Sequence, residues 1–351
     1  MYKNENDENT KDKTRNQIRF ATAEELEKIA EFISSEWASD HVFVRSPEML
    51  AWQHLDERSQ KLNFLINEID GQIAAILGFI PDQHYSNSMS TNRVFLAIWK
   101  TAEKFKNSGA GLRLLQSIRN YVDADLIGVI GISEEALKIY KLLGYTTGKM
   151  NHHVVFNQGV IHKIALNAPI QKVSATEVLW RKISFSENTL FEKLVNTDSG
   201  NSKNYEYLQS RYANHPYFKY TAYYFEINTT SCVLIIREIN IFGSKIGKIV
   251  DVLGDASLVP KTCGALFEIS RINQYEYIDI YSTGLNLQEM KKQGFLLVES
   301  ASSFVVPNYF EPFVQQNIEM YFAWKNFTND RLTTLFRGDS DQDRPNLLEA
   351  K

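Results

Sequence analysis

Strands alternating with helices, in an order that recurs along the chain, predict an α/β (α+β) protein of two domains. Each domain is expected to be a mixed, mostly antiparallel sheet flanked by helices. Three observations carry this. The 351-residue length suits two domains at ~150 residues each. Asp70-Gly71, set between two apolar runs, is a two-residue hairpin turn and so demands antiparallel neighbours. Gln293-Gly294-Phe295, late in the chain, echoes Leu143-Gly144-Tyr145, and both close a helical stretch with glycine.

The elements follow in order. Residues 1–16 are rich in Asn, Asp, Lys, Glu and Thr with no apolar core, so they read as a disordered tail and not as a signal peptide. Gln17–Phe20 is a short strand. Thr22 and Glu25 form a capping-box pair before Leu26, Ile29, Ala30 and Ile33, which have helical spacing. Ser46 and Pro47 suit the cap and first position of a second helix, running to Glu57. Leu62–Glu68 and Gln72–Ile80 are the hairpin strands. Pro81–Asn92 is a polar loop long enough for function. Arg93–Thr101 is an apolar strand, and Leu112, Leu115, Ile118 and Tyr121 mark the next helix. Leu126–Ile132 is a strand, Ser133 caps a helix to Leu143, and His153–Phe156 begins a further strand.

The second half repeats the plan: a helix at Asn204–Tyr212, strands at Thr221–Ile227 and Ser231–Glu238 about an Asn228-Thr229-Thr230 turn, a strand at Lys248–Leu253, a helix at Pro260–Ile272, a strand at Tyr277–Tyr281 and a helix at Leu285–Gln293. The expected division is 1–16 tail, 17–168 first domain, 169–330 second domain and 331–351 polar C-terminal tail.

Composition narrows the function. Hydrophobic residues are 44% and charged residues 23%, ordinary for a soluble globular chain. The net charge of −4 argues against a broad nucleic-acid footprint. Cys232 and Cys263 make neither a disulfide framework nor a metal pattern, so each reads as apolar filler, with a nucleophilic thiol as the alternative. His152-His153 lack a nearby third ligand, so no metal is expected. The apolar runs Ile73–Ile80 and Leu126–Ile132 are far shorter than the ~20 residues of a membrane span. A cytoplasmic protein is expected.

Chemistry concentrates at Leu96-Ala97-Ile98-Trp99-Lys100 and the following Lys106-Asn107-Ser108-Gly109-Ala110-Gly111-Leu112. This is a strand, a Gly-x-Gly turn and a helix start. Main-chain N–H groups at a helix N-terminus favour an anion, and glycine permits close approach. Lys100, Lys104, Lys106 and Arg113 add positive charge. A P-loop would need Gly-Lys-Ser/Thr where Gly111-Leu112-Arg113 stands. A dinucleotide fingerprint would need a third glycine where Leu114 stands.

On these residues residues 17–157 resemble the GNAT acyl-CoA N-acyltransferases. Lys106-Asn107-Ser108-Gly109-Ala110-Gly111 is similar to the family's Gln/Arg-x-x-Gly-x-Gly/Ala, and Ala136-x3-Tyr140-x3-Gly144-Tyr145 to its Asn-x2-Ala-x3-Tyr-x3-Gly-Phe. The element order agrees as well. Lys106 departs from Gln/Arg yet keeps a cation, and Ser133 stands where Asn is frequent. The second half then reads as a second GNAT-like copy without a Gly-x-Gly turn. The resemblance implies that main-chain groups of 107–112 cradle the pyrophosphate of coenzyme A, with Lys106 and Ser133 beside them. It implies that Ile98, Trp99 and Lys100 pair with the pantetheine arm, and that Tyr140 protonates the departing thiolate. Asp82, His84 and Glu68 are the candidates for a base, and water is a further route for the proton.

With its Asp-Ser-Asp-Gln-Asp-Arg-Pro-Asn tail, the two-domain layout is similar to bacterial enzymes that N-acylate nucleotide-linked amino sugars, dTDP-linked ones included, for surface polysaccharides such as O-antigen. That resemblance implies acyl-CoA as co-substrate. It leaves Tyr85, Tyr217 and Tyr220 to stack on the acceptor and Asp339, Asp341 and Arg344 to meet its hydroxyls and phosphate. The tail has two other readings, a solvated end and a weak calcium loop. Two other functions stay open: a tRNA-dependent aminoacyl transferase of cell-wall synthesis, and a non-catalytic acyl-CoA-binding module.

Overall fold

The computed structural model describes residues 16–175, 178–195, 203–328 and 334–342. The chain divides into two compact units, Met1–Gly78 with Ile98–Val122, and Phe79–Ala97 with Asp123–Lys351.

The first unit contains β1 (Asn16–Thr22), α1 (Leu26–Glu36), α2 (Val42–Arg45), α3 (Pro47–His54), β2 (Leu55–Asp56), β3 (Lys61–Ile69), most of β4 (Gln72–Pro81), the end of β5 (Arg93–Thr101) and α4 (Ala110–Ser117). Its strands run antiparallel in the order β1-β3-β4, with β2 on β3. Asp70 (φ 50°) and Gly71 (φ 76°) both take the left-handed conformation that a tight hairpin needs. On α1, Ile29, Ala30 and Ile33 are buried as their spacing predicts, Phe32 is buried with them, and Leu26 is half-buried. Ser46 Oγ accepts from Met49 N–H at 3.2 Å and caps α3. That helix stops at His54, three residues short of the expected end, because Leu55 and Asp56 turn to pair with β3.

The Glu25 carboxylate accepts from Thr22 N–H at 3.0 Å and from both terminal nitrogens of Arg19. The Arg19 guanidinium, against a smaller cost of burial, lowers the Glu25 pKa to about 2 from an ordinary 4.5. A depressed carboxylate contributes stability above its unfolded value and loses it as pH falls through its folded value. The unfolding midpoint is therefore expected to drop more steeply between pH 4.5 and 2 in the native chain than in Glu25→Gln. Calorimetry giving parallel curves would refute this.

The second unit contains the start of β5, then β6 (Leu126–Ile132), α5 (Glu134–Leu142), β7 (Thr146–Lys149), β8 (Asn151–Phe156), β9 (Leu179–Ile183), α6 (Asn188–Val195) and α7 (Tyr205–Leu208). It continues with β10 (Tyr220–Ile227), β11 (Thr230–Ile241), β12 (Ser244–Gly254), α8 (Cys263–Asn273), β13 (Tyr275–Thr283), α9 (Leu287–Gln293), β14 (Leu296–Val298), the hairpin β15 (Tyr309–Phe310) and β16 (Phe313–Val314), β17 (Tyr321–Asn326) and β18 (Leu335–Phe336).

One arrangement of four strands occurs twice in this unit. β5 and β6 are parallel, β17 lies antiparallel on β6, and β7 lies on β17. Likewise β12 and β13 are parallel, β8 lies antiparallel on β13, and β14 lies on β8. Each set therefore takes its third strand from the other half of the sequence. A boundary at 168/169 cuts through this pairing, since β8 precedes it while its partners β13 and β14 follow. The helices recur too: α5 joins β6 to β7, and α9 joins β13 to β14. Sequence reading missed β2, β7, β9 and every strand from β14 to β18.

All nine residues of β13 are buried, as expected of a central strand with neighbours on both sides, parallel β12 and antiparallel β8. Cys232 and Cys263 lie with Ile249, Ile278 and Ile280 in the core around it. Burial pushes the Cys263 thiol up to about 12 and that of Cys232 higher still, so both are packing groups and neither is a nucleophile. Among the described residues no helix is long and apolar enough to cross a membrane.

Candidate functional site

In the first unit, β5 ends at Thr101 and a short turn leads to Lys106–Gly109, which is exposed. Gly109 has φ 72°, a conformation that glycine adopts without strain and that directs the chain into α4. The first-turn N–H groups of an α-helix have no intrahelical acceptor. Here Ala110 N–H is taken by Ser108 Oγ at 3.2 Å, and Gly111 and Leu112 follow in the same turn.

The two glycines serve different purposes. A Cβ on Gly111 would lie 2.4 Å from Thr101 Oγ1 and 3.1 Å from Trp99 Nε1. Its missing side chain is thus explained by packing of α4 on β5, and the close approach that the sequence suggests for a ligand falls to Gly109. Trp99 Nε1 donates to the Gly111 carbonyl at 2.9 Å, and Asn67 Nδ2 to that of Ala110 at 3.2 Å. These bonds fix the helix start against the sheet. Ile98 is buried; Trp99 and Lys100 are half-buried. Lys106 reaches Glu103 at 3.2 Å and Arg113 donates to the Ser108 carbonyl at 2.8 Å, both in exposed settings where a cation remains available.

In the second unit, the β5–β6 ladder runs from Arg93↔Leu126 to Leu96↔Val129, and β5 continues for five residues past it. After β6, Ser133 Oγ accepts from Ala136 N–H at 3.2 Å and caps α5. Tyr140 on α5 is buried, edge-on to Tyr145 with ring centroids 5.1 Å apart. Burial, with a smaller push from Tyr145, raises the Tyr140 phenol well above its ordinary value, so it stays protonated at neutral pH. Gly144 (φ 76°) ends the helix, and Lys325 Nζ donates to the Leu143 carbonyl at 2.9 Å.

Most of the other sequence candidates are held in ion pairs or packing. Asp82 is buried, and its carboxylate binds Arg93 Nε at 2.6 Å. His84 is half-buried with its ring 5.0 Å from that of Tyr85. Tyr85 is itself buried, edge-on to Tyr207 at 5.3 Å and below the Arg211 guanidinium. Tyr217 is half-buried, and Tyr220 lines a cavity of about 350 Å³ with Lys182, Phe185, Phe218 and Lys219. Asp339 and Asp341 are buried, so the tail is no solvated end as far as Gln342. Asp339 Oδ1 lies 2.8 Å from Lys203 Nζ and 3.4 Å from Arg93 Nη2. Against the upward push of burial, Lys203 and Arg93 hold its carboxyl below the ordinary range. Arg344 lies outside the described residues. Glu68 pairs with Arg19 at 2.8 Å in the first unit.

Two buried charge clusters escaped sequence reading. One joins Asp82, Arg93, Asp339, Lys203 and Asp251, with Tyr212 donating to Asp251 Oδ2 at 2.6 Å. The other joins His152, Asp279 and Lys248. Burial lowers His152 to about 4 against the opposite pull of Asp279, so at pH 7 its 2.8 Å contact is a hydrogen bond between a neutral imidazole and the Asp279 carboxylate. The available signal was a lone charge within an apolar strand, as in Ile249-Val250-Asp251-Val252 and Ile278-Asp279-Ile280.

No protein-family model matches the sequence, and neither does any curated protein. Solved structures do resemble the fold. A GCN5-related N-acetyltransferase from Anabaena variabilis aligns at TM-score 0.56 and 12% identity, over 90% of this chain and 73% of that one. A conserved Enterococcus faecalis protein described as a probable N-acyltransferase aligns at 0.54 and 10%, over 89% and 72%. A GCN5-related N-acetyltransferase from Kribbella flavida aligns at 0.52 and 10%, over 89% and 71%. At these identities the likeness is one of fold: a mixed α/β chain with two mostly antiparallel sheets, flanked by helices as in GNAT proteins.

Proposed function

We propose that the protein is an acyl-CoA-dependent N-acyltransferase. The observation that carries this reading is the exposed turn at Lys106–Gly109, entering α4 through a left-handed glycine directly after β5. A diphosphate placed there meets main-chain N–H groups and the positive end of a helix. The pantetheine arm lies along the main chain of Ile98–Lys100, where one N–H polarises the thioester carbonyl. The acceptor nitrogen attacks that carbonyl carbon, the oxyanion collapses, and the carbon–sulfur bond breaks. The thiolate takes the Tyr140 proton, the amine loses its own to water, and water returns that proton to the Tyr140 phenolate. Preorganised donors of this kind contribute on the order of 10²-fold or more in rate.

The acceptor in this reading is the amine of a nucleotide-linked amino sugar, with dTDP as the first nucleotide to try. Such an amine titrates nearer ~8 than the ~10.4 of lysine, so a useful share is already neutral. Support comes from the two-copy layout and the tail sequence. Tyr217 and Tyr220 are the aromatic groups offered for stacking. Asp339 takes no part, because Lys203 and Arg93 occupy its carboxylate. A thiol-release assay over a panel of acyl-CoAs and dTDP- or UDP-linked amino sugars tests the reading. Thiol release that depends on one such sugar is the expected result. Binding of coenzyme A without turnover on any acceptor would leave a binding module in its place.

A further inference from the structure

The parallel ladder of β12 and β13 stops at Ile249↔Ile280, although β12 runs on to Gly254 and β13 to Thr283. The space beyond this point is filled by the chain itself. β18 pairs antiparallel with β13, with Phe336 opposite Ser282 and Leu335 opposite Thr283. Leu335 N–H also donates to Thr283 Oγ1 at 3.0 Å. The next turn crosses to β12: a Cβ on Gly338 would lie 2.7 Å from the Val250 carbonyl oxygen and 2.7 Å from Tyr212 Oη. Residues 335–341 are all buried.

Polar contacts anchor each step. Phe336 N–H donates to Asp339 Oδ2 at 2.7 Å. Arg337 bonds Asn308 and sits over the Tyr281 ring, 4.9 Å from its centroid. Asp339 meets Lys203 and Arg93, and Arg211 donates to the Ser340 carbonyl at 3.2 Å. The Gln342 side chain then rests against Gly131 of β6, where a Cβ would come within 2.7 Å of it.

We propose that the gap between the ends of β12 and β13 is a peptide-binding cleft whose permanent occupant is the chain's own segment 334–342. The occupant adds a strand to β13, as in peptide recognition by β-augmentation. It is recognised by two features, the absence of a side chain at Gly338 and the carboxylate of Asp339. The cleft is thus closed in cis to any other strand-like ligand.

The test places a protease site between residues 328 and 334 of the full chain and cuts the folded protein. The released C-terminal piece is expected to co-elute with the body in gel filtration. It is then exchanged for a labelled synthetic peptide of residues 332–344. Gly338→Val and Asp339→Asn in that peptide are each expected to weaken its binding at least tenfold. Loss of the piece on the column with an unchanged unfolding midpoint overturns the proposal, as does equal binding of the native and substituted peptides. Should the cut chain fail to form, amide hydrogen exchange of the uncut chain decides. Asp339→Asn is expected to speed exchange at Leu335 and Phe336 at least tenfold, and an unchanged rate refutes the proposal.

Discussion

Gly109→Asp is expected to weaken coenzyme A binding by about 5- to 100-fold. The residue sits in the exposed turn with φ 72°, ahead of the first-turn N–H groups of α4. A carboxylate there faces a diphosphate at a few ångströms, a repulsion of about 1 to 3 kcal/mol at the partly screened surface. Strain is separable from charge, because asparagine tolerates the left-handed region. Gly109→Asn should therefore bind coenzyme A close to the native level. Calorimetric titration of both variants provides the check. Equal affinity of Gly109→Asp and the native chain would remove the diphosphate from this turn.

Tyr140→Phe is expected to lower kcat by about 10²-fold, the low end for a positioned general acid. The KM for the acyl donor should change little, because in the proposed reaction the phenol acts after the donor is bound. The substitution keeps the ring and its edge-on contact with Tyr145, 5.1 Å between centroids, so the fold is preserved. Burial holds the proton on the phenol well past neutral pH. A thiol-release assay at saturating donor measures the effect. Unchanged kcat would show that the thiolate finds its proton elsewhere.

Local chemistry made much of this chain legible. β5 and β6 have the limits that apolar runs and flanking polar residues predict, and Asp70-Gly71 forms the predicted hairpin. Ser133 and Ser46 cap the helices that they precede. The turn at Gly109 is equally local, so it could be read directly. What could not be read depends on distant partners. β17 carries Tyr321-Phe322-Ala323-Trp324, a short aromatic run with no turn signal to announce it, and its place is set by β6 and β7. The tail looked solvated because Arg337, Asp339 and Asp341 are charged. The burial of Asp339 and Arg337 becomes affordable only beside Lys203, Arg93 and Asn308, which lie elsewhere in the sequence. For the same reason Asp82 looked like a free base until Arg93 was seen on it.

The crossing-over of β8 and β17 governs how this polypeptide must be made. Phe322 is matched with Ile130, about 190 residues earlier, so a ribosome has to make that whole stretch before β6 receives its second neighbour. Until then an apolar strand edge waits uncovered, the circumstance in which nascent chains aggregate or need a chaperone. Separate expression of either half as a stand-alone fragment leaves one strand orphaned and another in surplus. The two halves can change in sequence, but they cannot be separated without unpairing these strands.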